Sequence, residues 1–237
     1  QRKYHLFEFD FIIQHFVNWT RDLKKIKNHK GKRPKIVYHF HSILRRERDS
    51  GFKIFNHLLR SQERMIELAD VIICPSRYEY ENFNRYFPYF SDKVQLIENT
   101  IETFPRKRSQ IEDIKKRYKI RPKDIVSIYV GRLERIKGAH VLVDEIPQIL
   151  KKYKNKKIFI VGKSLERSIA RKVRKLCRLF PNKVFYLPYI DKGQLFQFYY
   201  ISDIYINTSL SESFSLSTYE CAFCNNSLLL NELPIFD

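Results

Sequence analysis

Short apolar runs alternate with longer amphipathic segments along almost the whole chain. We predict strands at the apolar runs, the clearest of which are residues 9–13, 35–40, 70–74, 94–97, 125–130, 158–161, 184–187 and 203–207. Between them apolar residues recur at helical spacing, as in a helix predicted for residues 166–180. Strands that alternate with helices predict an α/β protein whose parallel sheets are covered by helices.

The alternation is interrupted once, by a polar and basic stretch that carries Pro105 and Pro122. A stretch of this composition is typical of a junction between domains. We therefore predict a first Rossmann-like domain at residues 1–109, a linker at 110–123 and a second Rossmann-like domain at 124–237.

The composition adds a strong positive charge to this picture. Lys and Arg total 45 against 26 Asp and Glu, a formal net charge of +19, and 43% of the residues are hydrophobic. This predicts a globular protein with an anionic partner, although a solvated basic surface would give the same balance. The basic face of the helix at 166–180 also has two interpretations, a surface helix packed on the sheet or a contact with anionic lipid or polymer. Charge alone is the argument for nucleic acid, and no recognisable RNA or DNA module supports it.

Cysteines and apolar runs bear on where the protein works. Four cysteines are too few for a disulfide framework, which favours a reducing compartment. Cys221 and Cys224 form a single C-x-x-C, for which we expect a buried helix segment rather than a zinc site. No apolar run approaches the roughly 20 residues of a membrane span, so we expect a cytoplasmic protein without a signal peptide.

The most informative turn is VGRLERIKG at residues 130–138. It follows a predicted strand and precedes a predicted helix, which is the layout of a phosphate-binding turn in a parallel sheet. Gly131 permits a sharp turn at the strand end. Arg132 and Lys137 would then place two positive charges over one crevice.

A second informative stretch, SLSESFSLSTYEC at residues 209–221, holds two glutamates eight residues apart. Glu212 lies in a predicted loop and Glu220 in the first turns of a predicted helix. The helix start and the amides of residues 214–217 favour a bound anion, so two turns would direct positive potential at one diphosphate. The carboxylate of Glu220 could accept hydrogen bonds from ribose hydroxyls. Equally, Ser217-x-x-Glu220 fits a capping box, in which the glutamate would bond back to the Ser217 amide.

Together these motifs resemble family 4 of the retaining glycosyltransferases, which have the GT-B fold. The matching segments, in family order, are FDFIIQH at 9–15, KIVYHFHS at 35–42, ADVIICPS at 69–76, VQLIEN at 94–99, VGRLERIKG at 130–138 and the E-x7-E motif at 212–220. The resemblance implies two Rossmann-like domains with the nucleotide site in the cleft between them.

The resemblance also implies roles for individual residues. Arg132 and Lys137 would bind the donor diphosphate beside Gly131, Glu212 would lie near the donor sugar, and Glu220 would bind the ribose. The other implied site residues are Phe214, Ser215 and Leu216 through their backbone amides, His41 beside the reacting centre, and Asn99 at the cleft. His15 matches less completely, because Ile13 replaces the first His of its pair. No D-x-D motif occurs, so we expect no metal and no cofactor.

We therefore predict a metal-independent transferase that moves a sugar from a nucleoside-diphosphate sugar to a cell-envelope glycan, polymer or lipid acceptor. A peripheral contact with the inner membrane face is compatible with the charge. Some residues depart from the family pattern: Ser213 and Ser215 replace loop glycines, and Thr100 and Pro188 replace two more. The chain also lacks the family's first Gly-rich turn and closing helix. These departures keep open a fragment of a longer enzyme, or a non-catalytic coat or scaffold protein that binds polyanions.

Overall fold

A computed structural model describes residues 6–236 of the protein. Residues 1–5 of the predicted first domain and residue 237 of the predicted second domain lie outside the described residues. The chain divides into two compact units, residues 1–99 and residues 100–237. Each unit is built on one parallel sheet, as the strand–helix alternation predicts.

The first unit has four parallel strands in the order β1-β2-β3-β4. The strands are β1 (Phe11–Gln14), β2 (Lys35–His39), β3 (Val71–Cys74) and β4 (Val94–Leu96). The helices are α1 (Thr20–Lys27), α2 (Leu44–Asp49), α3 (Asn56–Leu68) and α4 (Arg77–Tyr86). Ile36 and Tyr38 of β2, and Phe40 just after it, alternate along the chain and are buried in one core with Met65 of α3 and Phe83 of α4.

Charged side chains tie the start of β3 to its neighbours. Asp70 accepts hydrogen bonds from the Arg33 guanidinium at 2.7 and 3.0 Å, from Lys27 Nζ at 2.5 Å and from the Ile36 amide at 2.9 Å. Burial alone would raise the pKa of Asp70, but these donors outweigh it and hold that pKa far below its usual range.

The second unit has five parallel strands in the order β7-β6-β5-β8-β9. The strands are β5 (Ile125–Val130), β6 (Lys156–Val161), β7 (Val184–Leu187), β8 (Ile204–Asn207) and β9 (Ser227–Leu230). The helices are α5 (Arg108–Arg117), α6 (Ala139–Lys152), α7 (Arg167–Leu179), α8 (Lys192–Ile201) and α9 (Leu216–Phe223).

This sheet is buried on both faces because successive side chains of a strand point to opposite sides. Ile158 and Ile160 of β6 belong to one core with residues of α6 and α7. Phe159 and Val161 belong to a second core with residues of α5, α8 and α9. The near-continuous apolar run of β6 therefore follows from its central position.

The segment that was predicted as a linker, residues 110–123, lies within the second unit. It contains most of α5, whose Ile111 is 2% exposed and belongs to the core beneath α8. The Lys107 amide donates to Gln197 Oε1 of α8 at 2.8 Å, and Tyr200 Oη donates to the Phe104 carbonyl at 2.9 Å. These contacts fix the start of the unit onto α8.

Candidate functional site

The turn after β5 depends on two glycines in close contact. The Gly131 amide donates to the Val161 carbonyl at the end of β6, at 3.0 Å. Gly162 follows Val161 with φ 135°, and a Cβ there would lie 2.1 Å from the Gly131 carbonyl oxygen. Only glycine combines that backbone conformation with that approach. The adjacent carboxyl ends of β5 and β6 are thereby held together.

The turn then closes into a short 3₁₀ helix, Arg135–Lys137, which leads to α6. Tyr129 of β5 contacts the turn at two points: its hydroxyl lies 3.3 Å from the Arg132 carbonyl oxygen and 3.0 Å from that of Lys137. Burial raises the pKa of Tyr129, so the phenol stays protonated as a donor. The sequence interpretation missed this role, because Tyr129 fits an ordinary buried strand position.

The loop after β8 packs directly on this turn. The Leu210 amide donates to the Ile136 carbonyl at 2.8 Å, and Thr208 Oγ1 donates to the Gly138 carbonyl at 3.0 Å. β8 pairs with β5 in parallel, so both loops leave the same end of the sheet. The two turns that the sequence singles out, 131–138 and 208–217, are therefore neighbours.

An ion pair joins the two turns. Lys137 Nζ lies 2.8 Å from Glu212 Oε2, and Ser209 Oγ donates to the other oxygen, Oε1, at 2.7 Å. The Lys137 side chain is 23% exposed and that of Glu212 is 10% exposed. A lysine so fixed keeps two of its three N–H donors for another acceptor.

Arg132 does not join this contact. Its guanidinium lies 3.0 Å from Glu134 Oε1, within its own turn, and its side chain is 61% exposed. Of the two cations expected to converge on one anion, the structure brings Lys137 to the 208–217 loop and leaves Arg132 at the surface of the turn.

The start of α9 is held by buried side chains. Ser215 precedes the helix in the left-handed region, with φ 64°, a conformation that glycine adopts most easily. Its hydroxyl accepts from Asn207 Nδ2 at 3.1 Å and lies 2.8 Å from Thr218 Oγ1. Phe214 stacks on Tyr219 with ring centroids 4.6 Å apart. The first amides of α9, at Leu216 and Ser217, have no acceptor within the helix, because a helical amide donates to a carbonyl four residues earlier.

Glu220 lies inside the second unit, with its side chain 3% exposed. Lys192 Nζ donates to Oε1, and Tyr199 Oη donates to Oε2 at 3.0 Å. The capping-box alternative is wrong: Ser217 is inside α9, and its hydroxyl pairs with Tyr205 Oη at 2.7 Å. Lys192 and Tyr199 were not predicted, because they reach Glu220 from a different helix.

Cys221 and Cys224 are buried free thiols, as expected for a helix segment. Burial raises the pKa of Cys221 and brings that of Cys224 to about 11. Thiols held protonated in this way are poor metal ligands. The prediction of a structural C-x-x-C is confirmed.

The remaining predicted site residues lie in the first unit. His41 follows β2, and its Nε2 lies 3.2 Å from Nδ1 of His15, which follows β1. Partial burial and the proximity of His15 lower the pKa of His41. Asn99 follows β4, and its amide donates to the Pro75 carbonyl at 3.1 Å.

Comparison with known families assigns both parts of the chain. Residues 110–227 match the family model described as "Glycosyl transferases group 1". Residues 1–103 match the model described as "Glycosyltransferase Family 4". The chain belongs to the family-4 glycosyltransferases. The resemblance that the sequence motifs indicate is thereby confirmed for the family.

Two curated relatives of this glycosyltransferase are lipid-modifying enzymes by name. One is a subunit of phosphatidylinositol N-acetylglucosaminyltransferase from Arabidopsis thaliana, which is 26% identical over 194 residues, a match covering 80% of this chain and 40% of the relative. The other is alpha-monoglucosyldiacylglycerol synthase from Acholeplasma laidlawii, which is 23% identical over 130 residues. That match covers 54% of this chain and 32% of the relative. The chain thus spans well under half the length of these relatives.

Solved structures of glycosyltransferases share the fold. HepE of Anabaena, crystallised with UDP and glucose, gives a TM-score of 0.74 at 21% identity and covers 93% of this chain and 59% of its own. Sucrose-phosphate synthase of Thermosynechococcus elongatus gives 0.73 at 19% identity, covering 94% and 56%. The α/β, GT-B-like fold class is therefore confirmed. Within residues 6–236, no helix has the length and apolar character needed to span a bilayer.

Proposed function

We propose that this glycosyltransferase binds a nucleoside-diphosphate sugar at the turns 131–138 and 208–217 and transfers the sugar to an acceptor hydroxyl. The bond between the anomeric carbon and the diphosphate oxygen breaks, a bond from the acceptor oxygen forms, and the proton of that hydroxyl is released. Resemblance to the family implies that the anomeric configuration is retained and that Glu212 lies near the donor sugar.

The observation that carries the proposal is the Lys137–Glu212 ion pair at the carboxyl ends of β5 and β8. Ligands of open parallel sheets bind at that end. The ammonium is held in place before the donor arrives, so it stabilises charge on the departing diphosphate without a large reorganisation. Because Lys137 supplies the positive charge, the proposal needs no metal at the diphosphate.

The neighbouring groups have complementary tasks. Amides of Phe214, Ser215 and Leu216 and the start of α9 favour the same anion. Gly131 lets the backbone approach it closely, and Arg132, exposed on the turn, would exchange its contact with Glu134 for an outer phosphate oxygen. Glu220 binds the ribose, and Lys192 and Tyr199 orient its carboxylate for that contact.

The acceptor is a cell-envelope glycan, polymer or lipid, and we favour a lipid. The names of both curated relatives include a lipid. The net charge of +19 attracts the protein to an anionic bilayer surface, and Arg171, Arg174 and Arg178 place basic groups along α7. We accordingly propose that the protein works at the cytoplasmic side, in peripheral contact with the inner membrane face.

The binding step is tested by titrating UDP-sugars and GDP-sugars into wild type, Lys137→Ala and Lys172→Ala by calorimetry. Lys172 of α7 is the matched control, because it pairs with Asp144 of α6 at 2.6 Å and its side chain is 53% exposed. Lys137→Ala should weaken the preferred donor by about 10- to 150-fold, as expected for a lost charge-assisted contact. Lys172→Ala should bind like wild type. Equal binding by all three proteins would remove the proposed diphosphate site.

The transfer step needs a separate measurement, with the full-length protein and vesicles that contain the lipid acceptor. Wild type should release the nucleoside diphosphate and form a glycolipid, and Glu212→Ala should lose both. Donor binding without any turnover would favour the alternative of a non-catalytic coat or scaffold protein.

A further inference from the structure

Three histidines of the first unit form a cluster at the ends of two strands. His15, His39 and His41 each offer a ring nitrogen, and these nitrogens all lie within 4.8 Å of one another. His15 and His41 are exposed and His39 is half-buried. Among residues 6–236, these three histidines are the one group of at least three His, Cys, Asp or Glu side chains that are close enough together to hold a metal ion.

The parallel sheet produces the cluster. Gln14 of β1 pairs with Tyr38 of β2, so the next residues along, His15 and His39, are neighbours across the two strands. Tyr38 and Phe40 point into the helix-covered core. His39 and His41 alternate with them and therefore point to the opposite face. The register thus brings all three rings together without any special loop.

The spacing of the rings matches a metal site. His15 Nδ1 and His41 Nε2 are 3.2 Å apart, and the ring centroids are 4.8 Å (His15–His39), 4.8 Å (His39–His41) and 5.4 Å (His15–His41) apart. Zinc–nitrogen bonds of about 2.1 Å in a tetrahedral site place ligand nitrogens about 3.4 Å and ring centroids about 5.2 Å apart. An ion therefore fits with small movements, and it would replace the contact between His15 and His41.

The half-buried histidine supplies an independent observation. Nδ1 of His39 is buried and has no hydrogen-bond partner among the described residues. A buried ring nitrogen left without a partner is costly, so such an atom calls for a ligand or an ordered water. Partial burial and the charges of His41 and His15 also lower the pKa of His39. A lowered pKa favours the neutral imidazole, which is the form that binds metal.

We propose that His15, His39 and His41 bind a divalent transition metal, with zinc as the ion best suited to three imidazoles. Three protein ligands leave the fourth tetrahedral position open for water or for an oxygen of a substrate. The proposal differs from the sequence-based expectation that the protein has no metal site. The proposal concerns the first unit alone and is independent of donor binding by Lys137.

The test measures metal binding to chelator-treated protein. Zinc chloride is titrated by calorimetry, and cobalt chloride by visible absorption, into wild type, His15→Ala, His41→Ala and His57→Ala. Wild type should bind one equivalent and give the intense visible bands of tetrahedral cobalt. His15→Ala and His41→Ala should weaken zinc more than about 100-fold, since loss of a mere partner of a ligand already costs about 10- to 100-fold. His57, exposed on α3, is the matched control and should bind like wild type.

The two cluster variants alter exposed side chains, so they should keep the wild-type circular dichroism spectrum and test the ligands rather than folding. Binding that is equal in wild type and in both variants would assign the metal to adventitious sites and overturn the proposal. An octahedral cobalt spectrum, or thiolate charge-transfer bands from the cysteines, would overturn it as well.

Discussion

Gly138 and Thr208 touch through their backbones, at the point where the two loops of the donor site meet. Gly138 has φ 61°, and a Cβ on it would lie 1.6 Å from the Thr208 carbonyl oxygen. The two residues are also tied by the hydrogen bond from Thr208 Oγ1 to the Gly138 carbonyl. The position of Lys137, one residue earlier, therefore depends on a contact that tolerates no side chain.

Gly138→Ala should destabilise the second unit strongly. The left-handed conformation of a non-glycine residue costs about 1–3 kcal/mol, and the collision with Thr208 adds to it, so we expect a total above about 3 kcal/mol. Urea unfolding followed by circular dichroism measures the loss. Gly193→Ala is the control: Gly193 lies in α8 and a Cβ there would lie 3.3 Å from Asp191 Oδ1, so a small shift of that side chain makes room and the loss of stability should be far smaller than for Gly138→Ala. Similar stability for both variants would contradict the close approach.

Asp70 should make the first unit sensitive to acid. Its pKa is lowered in the folded state, so its contribution is complete above the unfolded pKa of about 3.9 and is lost as the pH falls through the lower folded value. We expect about 1–2 kcal/mol at pH 7, after allowance for solvent screening of a partly exposed group.

The single tryptophan, Trp19, precedes α1 and reports on the first unit by fluorescence during denaturation. Asp70→Asn should lower stability at pH 7 and flatten its dependence on pH between about 5 and 2. Asp22→Asn, which removes a surface pair with Lys25 at 3.5 Å, should change little. If Asp70→Asn lost stability between about pH 5 and pH 2 in the same way as wild type, other carboxylates would control the acid sensitivity.

Glu220 should make the protein bind a nucleoside diphosphate more tightly than an analogue that lacks the ribose hydroxyls. Its oxygens already accept from Lys192 and Tyr199, yet each carboxylate oxygen has a second lone pair for a hydroxyl. In wild type, a nucleoside diphosphate should bind tighter than its 2′,3′-dideoxy analogue by at least about 10-fold. Glu220→Gln should lose most of that preference. Glu212→Gln should keep it while weakening both ligands, and an equal preference in wild type and Glu220→Gln would exclude the ribose role.

The sequence predicts those elements whose pattern is local. The helix predicted at 166–180 is α7, Arg167–Leu179, because its apolar positions recur on one face. The apolar strands β5 and β7 have the predicted bounds. In contrast, α1 was missed: Leu23 and Ile26 are its buried residues in an otherwise charged stretch, too few to show a period. The short helix α2 buries no residue and gives no pattern at all.

The candidate site shows the same limit. Glycine turns and glutamate spacing point to the two loops, because each of these motifs lies within a few residues of the chain. Contacts between distant elements are not encoded in this way. Lys192 meets Glu220 only because α8 and α9 cover the same face of the sheet, and His15 meets His41 through the register of β1 and β2. Neither contact has a separate signal in the sequence.

The central claim is that Lys137 binds the diphosphate of the donor. The most direct test compares, by calorimetry, the affinities of wild type and Lys137→Ala for UDP or GDP, whichever binds, and for the corresponding nucleoside. The account predicts that Lys137→Ala weakens the diphosphate by about 10- to 150-fold and leaves the nucleoside unchanged. An equal loss for both ligands, or no loss for the diphosphate, would contradict it.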